Sequence, residues 1–219
     1  MGYITKFSGK VVLSEKLSEA EVDFFTRWAF TMRCKRSDFT EGCYFALSYP
    51  YSIDDYRGHS TPNIIGFDNA DGQPNAYCQW IVGKDKKSIH WDGVEKFHAS
   101  AKWMAYIIEH FFGENPMAKR LYPEEFSFLR GNVLNGEIYA KGEDRSDVFK
   151  IEVLNNRVCV RDGDVPESGN VSRFNVDWHT TVEEVLCKPT ERERVILSQS
   201  SLDDVITKSR DNTRVRNKL

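Results

Sequence analysis

Tyr3, Thr5 and Phe7 alternate with Ile4, Lys6 and Ser8 ahead of an apolar run, Val11-Val12-Leu13, which predicts a β-strand over 3–13 with a bend at Gly9. The apolar period then changes from two to 3.6. Ser18-Glu19-Ala20-Glu21 has the order of a capping box, Leu17 can staple onto Val22, and Val22, Phe25, Ala29 and Met32 recur on one helical face. A helix is therefore expected, ending near Arg33. From Asp38 to Asn75 the pattern weakens, and Pro50, Gly58, Pro62, Gly66, Gly72 and Pro74 interrupt the chain around one expected strand at 43–48. A long aromatic-bearing loop of this kind reads either as a functional lid or as an Ω-loop packed on its own side chains.

The central segment predicts a hairpin, with strands at 77–82 and 88–91 about the charged turn Gly83-Lys84-Asp85-Lys86-Lys87. Asp92 with Glu95 repeats the capping signature. Val94, Phe97, Ala101, Met104, Ile108 and Phe111 then form a stripe, widened by Ile107 and Phe112, for a helix that Gly113 stops. Such a stripe has to lie flat on a sheet. After a link at 114–132, with a helical turn expected around 123–129, a second hairpin is predicted at 133–141 and 148–153. The turn Asn155-Asn156 leads into a further strand at 157–161. Beyond Asp162-Gly163-Asp164 only short helical signals remain: a capping box from Thr181 to Glu184, a stretch at 190–199, and a new start at 200–203. The pattern as a whole predicts an α+β domain over 1–164, a mainly antiparallel sheet with two helices packed on one face. A small helical extension with a basic C-terminal tail is expected at 165–219.

Composition narrows the function classes. The 219 residues are 40% hydrophobic and 13% aromatic, which is too much for a disordered chain. No apolar run reaches 18 residues, so no membrane contact is expected. A net charge of -3 provides no global field for a nucleic-acid backbone, yet Lys208, Arg210, Arg214, Arg216 and Lys218 at the C-terminus face only Asp211. That tail is either a solvated terminus or a docking arm for nucleic acid or an acidic partner. The five cysteines are odd in number and scattered, without CxxC or zinc-finger spacing, and the first residues lack an apolar leader. A reducing, cytoplasmic setting is expected, with no metal and no cofactor.

Two kinds of chemistry are open. His90, Asp92, Glu95 and His98 cluster in sequence, and Glu137, Glu143, Asp144 and Asp147 come from the second hairpin. On a helix Glu95 and His98 would share a face, so His90, Glu95, His98 and Glu137 are the candidate groups for metal-dependent hydrolysis or acid–base work. Capping and polar turns account for the same residues without chemistry, and Cys78 near His90 reads more simply as a small buried hydrophobe. No GxSxG, GxGxxG, P-loop or HExxH motif occurs. The binding alternative uses Trp80 and Trp91, at corresponding ends of the first hairpin. They are either core residues or a stacking platform, on which Gln79 and Asp92 would give direction and Arg57, Lys84 and Lys86 would counter phosphate.

Several short runs carry a resemblance. Gln73-Pro74 with Cys78-Gln79-Trp80, His90-Trp91-Asp92-Gly93 with Glu95-Lys96-Phe97, Trp103 with Tyr106-Ile107-Ile108, Leu134-Asn135-Gly136-Glu137 and Gly142-Glu143-Asp144 follow a pattern QPxxWCQW, EWDGxEKF, WLxYLI, LNGEV and GEDxxD. Over about 1–160 the chain thus resembles a family of small uncharacterised proteins of tailed phages and bacteria. Tyr77 stands where that family tends to have Trp, Phe149 where it tends to have Gly, and 113–132 is longer. The resemblance implies a phage-type accessory protein in the host cytosol. With no catalytic motif in the chain, it is expected to act by binding, either inhibiting a host defence protein or sequestering a nucleotide signal.

Overall fold

The computed structural model describes residues 3–31, 35–36, 64–66, 73–167, 176–187, 193–195 and 197–199. Strand β1 (Lys6–Leu13) turns Phe7, Val11 and Leu13 inward and leaves Lys6, Ser8, Lys10 and Val12 on the other face, as its alternation requires. Helix α1 (Glu19–Phe30) follows, started by the capping box that the sequence spells out: Ser18 Oγ accepts from the Glu21 N–H, and the Glu21 carboxylate accepts from the Ser18 N–H. Strands β2 (Lys35–Arg36) and β3 (Ile64–Gly66) pair as a separate antiparallel ribbon. The strand expected at 43–48 lies outside the described residues, as do Arg57 and the basic tail.

The first hairpin forms from β4 (Trp80–Val82) and β5 (Ser88–Trp91), with Trp80 opposite Trp91. The helix after it starts later than its capping signature predicts. Asp92 Oδ1 accepts from the Val94 N–H and makes a local turn instead, and the chain passes through positive φ at Gly93, Lys96 and Ala99. Helix α2 covers only Ser100–Ile107 and runs on as one wide π-helical turn, Ile108–Phe112, closed by the Gly113 N–H on the Ile108 carbonyl. Val94, expected in the buried stripe, is exposed, whereas Phe97 is buried. A short helix α3 (Met117–Leu121) and a turn at 123–128 fill the link.

The second hairpin and its continuation are β6 (Leu134–Lys141), β7 (Val148–Leu154) and β8 (Arg157–Asp164). Short strands β9 (Asp177–Trp178) and β10 (Glu183–Val185) both pair with β8. The Thr181-to-Glu184 capping signature is thus overridden. Its residues find a free strand edge, and the Arg157 guanidinium grips the Glu184 carboxylate at 2.9 and 3.1 Å. Among the described residues of 165–219, 193–195 and 197–199 are helical, while β9 and β10 extend the main sheet.

Eight of the described strands form one antiparallel sheet in the order β10-β8-β7-β6-β1-β5-β4, with β9 beside β8. The fold is α+β. Val11, Leu13, Ile89, Leu134, Ile138 and Ile151 line the inner face, against which α1 and α2 bring Phe25, Trp28, Trp103 and Met104. Aromatic edges fit aromatic faces in this core: Phe25 meets Phe112 at 4.5 Å and Trp28 meets Phe111 at 4.8 Å, both edge-on. Behind α2, buried His110 donates from Nδ1 to the Tyr106 carbonyl at 2.9 Å and holds Glu193 through Nε2 at 3.1 Å, tying 193–195 to the core.

The bend in β1 has a steric cause. Gly9 has a φ of +105°, and a Cβ there would stand 2.3 Å from the backbone oxygen of Glu137 on β6. Gly9→Ala is therefore expected to lower the unfolding free energy by about 2 kcal/mol, because the obstructing atom is itself part of a strand ladder. Urea unfolding checks this, and an unmoved midpoint would show that β1 and β6 can part at no cost.

Candidate functional site

Because α2 begins only at Ser100, the chain before it is free to fold back, and a cleft of about 720 Å³ opens between α2 and the ends of β7, β8 and β10. Phe7, Phe97, Phe149 and Tyr106 give it aromatic walls. His98 and Lys102 stand at its exposed rim, and Glu183 stands on the β10 side. The neighbouring carboxylate, Glu184, is neutralised by Arg157, which holds it below the usual glutamate range.

A side-chain relay fixes the fold-back. Gln79 Nε2 donates to the Glu95 carbonyl at 3.2 Å, while Trp91 Nε1 is shared between Gln79 Oε1 at 3.2 Å and the Val94 carbonyl at 3.1 Å. With the left-handed φ at Lys96 and Ala99, these bonds hold 94–99 outside a helix, and its apolar periodicity goes unused. Asp92 completes the turn, and burial pushes its carboxyl up against the opposing Val94 hydrogen bond. Of the residues expected to contact a ligand, Gln79, Trp91 and Asp92 therefore shape the loop that carries His98 to the cleft.

Trp80 has a different place. It is fully buried, edge-on to Phe7 and Phe97, and its Nε1 donates to the Ser100 carbonyl at 2.9 Å. Both ring faces belong to the core. Lys84 is exposed on the hairpin turn, and Lys86 on the same turn pairs with Glu19 at the start of α1.

The four acid–base candidates are not brought together. His90 and Glu137 reach a shallow hollow of about 630 Å³ on the outer face of the sheet, with Lys10 and Tyr139, whereas His98 lines the cleft on the inner side and Glu95 is exposed on the non-helical loop. Glu137 is also committed. The Tyr139 hydroxyl at 2.5 Å and Lys150 at 3.1 Å donate to it and hold its carboxyl below the usual range, so it is ionised and already occupied by donors. Lys150 in turn lies 5.3 Å from the Trp178 ring and bonds Glu152, which Arg161 also holds. Glu143, Asp144 and Asp147 belong to the hairpin turn, where the Tyr3 hydroxyl donates to Asp147 and accepts from the Asp144 N–H. Among the described residues, no three His, Cys, Asp or Glu side chains are grouped to hold a metal.

One constellation was not visible in the sequence. Cys187 Sγ lies 4.0 Å from His110 Nδ1, and His110 Nε2 faces Glu193, the outline of a nucleophile, base and orienting acid. The chemistry does not follow from the outline. The Nδ1 hydrogen is directed at the Tyr106 carbonyl, so the ring presents no lone pair to the thiol, and burial pushes the Cys187 thiol up to about 12. The cluster locks the helical residues after 192 onto α2 instead. Cys78, the cysteine considered beside His90, is buried in the core.

The inner-face cleft thus combines concavity, aromatic walls and uncommitted polar groups, whereas the outer-face hollow is floored by a self-satisfied charge network. Compared with known proteins, the chain matches no protein-family model, no curated protein and no solved structure.

Proposed function

We propose that the protein is a phage-type accessory protein that acts by binding, sequestering a nucleotide in the cleft between α2 and the sheet. The observation that carries this reading is the cleft itself: aromatic rings Phe7, Phe97, Phe149 and Tyr106 beside His98 and Lys102 at the rim. Flat rings suit a base and the Lys102 ammonium suits its phosphate, while the carboxylate of Glu183 can accept from a sugar hydroxyl or an exocyclic amine. The resemblance to tailed-phage proteins supports an accessory role. A hydrolytic site built on His90, Glu95, His98 and Glu137 would need groups that the fold distributes over both faces of the sheet.

The test is native mass spectrometry of the full chain purified from nucleotide-rich extract, beside the same sample denatured and beside Ala101→Trp, whose indole would fill the cleft. A small molecule of nucleotide mass is expected, released on denaturation and missing from the variant. A bare chain in both samples, or a ligand that Ala101→Trp retains, overturns the reading. A co-purifying polypeptide in its place would point to inhibition of a host protein.

A further inference from the structure

We infer that the N-terminus of α2 is the oxyanion end of the cleft, where the backbone N–H groups of Ser100, Ala101 and Lys102, the Ser100 hydroxyl and the Lys102 ammonium receive the phosphate of the bound ligand. This rests on the cleft being the binding site and goes further by assigning its polarity.

The N-cap position of α2 is held by Ala99, which has no side-chain oxygen, and no side chain caps the helix. The regular bonds of the helix begin with the Trp103 N–H on the Ala99 carbonyl. Ser100, Ala101 and Lys102 precede that bond, with only the turn from the Phe97 carbonyl at 98–99 ahead of it, and all three residues line the cleft. An open first turn also carries the positive end of the helix dipole, which favours an anion. In α1 of the same chain the Ser18 hydroxyl accepts from the Glu21 N–H of the first turn.

A second observation points the same way. Ser100 is only 6% exposed, lines the cleft, and its hydroxyl makes no hydrogen bond; its carbonyl is the group that Trp80 holds. An unbonded hydroxyl beside a first turn that no side chain caps is placed to donate to a tetrahedral oxyanion. Lys102 adds charge from the first turn. Glu183, on the opposite wall, repels an anion from that side, so a nucleotide is oriented with phosphate at α2 and its hydrogen-bond donors toward β10.

The experiment is a ¹H–¹⁵N NMR titration of the full chain with inorganic phosphate, with acetate and sodium chloride at matched ionic strength as controls, then with adenosine and adenosine 5′-monophosphate. Phosphate is expected to shift the amides of Ser100, Ala101 and Lys102 saturably and more than acetate does. Ser100→Ala and Lys102→Glu should together weaken the monophosphate by at least roughly tenfold and leave adenosine unchanged. Ser100→Ala removes a hydroxyl that bonds nothing and is compatible with a helix, so the fold is retained. Absent shifts at 100–102, or equal affinity in the variants, overturn the inference. If adenosine perturbs Phe7 and Phe149 while phosphate leaves 100–102 untouched, this inference fails and the cleft reading stands. If phosphate shifts 100–102 but neither adenosine nor its monophosphate binds, the oxyanion site stands and nucleotide sequestration fails.

Discussion

Glu21→Gln is expected to lower the unfolding free energy by about 3 kcal/mol, although it leaves the size of the side chain almost unchanged. Glu21 is a 2% exposed carboxylate inside the first turn of α1. Its Oε2 accepts from the Ser18 N–H, the Ser18 hydroxyl and Arg130 Nε, and its Oε1 accepts from the Arg130 N–H. A glutamine has an NH₂ in place of one of these oxygens, so either orientation sets donor against donor. The loss extends beyond the helix, because Arg130 anchors the link between α3 and β6 to the start of α1. Burial alone would raise the Glu21 carboxyl, but the hydrogen bonds from Ser18 and Arg130 outweigh it and hold the carboxyl below its ordinary 4.5. A depressed carboxyl contributes stability that is fully present above that ordinary value and lost as pH falls through the folded-state value. The gap between wild type and variant in urea unfolding should therefore be widest near neutral pH and close in acid. A gap that persisted at low pH would trace the effect to packing.

Trp80→Ala should cost more, about 4 kcal/mol, since it empties the space between Phe7, Phe97 and α2. Trp80→Phe keeps most of that volume and removes the bond to the Ser100 carbonyl, for about 1–2 kcal/mol. Thermal and urea unfolding measure both. These values separate a core tryptophan from a stacking one: a ligand platform would lose ligand with little change in stability, whereas a core residue lowers stability with or without ligand. Full stability in Trp80→Ala would overturn the placement of this ring.

The fold was legible where local signals and tertiary demands agree. The Ser18-to-Glu21 box starts α1, the alternation at 133–141 and 148–153 gives β6 and β7, and Gly113 ends the second helical stretch. It was illegible where a distant group captured the backbone. Nothing in Asp92 to Glu95 announces that Gln79 and Trp91 will take the carbonyls of Val94 and Glu95, and nothing in Thr181 to Glu184 announces the open edge of β8. The candidate site was hidden for the same reason. Trp80, Trp91, Gln79 and Asp92 attract notice by side-chain type, yet they shape the chain beside the cleft, while the proposed anion end at Ser100, Ala101 and Lys102 depends on a late helix start and the missing oxygen of Ala99. That alanine was the available signal: a helix start without Ser, Thr, Asp or Asn at its cap leaves its first turn unanswered.

The position of β1 has a consequence for how the chain is made. It lies between β5 and β6, with Val11 opposite both Ile89 and Gly136 and Lys6 opposite Lys141, so it acquires one neighbour only once Ile89 has been synthesised and the other only once Gly136 has. Closing loops of that length precedes any gain from the contacts, which makes the central pairing slow relative to the local β6-β7-β8 meander. Val11, Val12 and Leu13 wait unpaired in the interval. The β6-β7-β8 meander is therefore expected to form before β1 joins it, and slowed synthesis or scarce chaperones should show as aggregation of the nascent chain before they show as any defect in the finished protein.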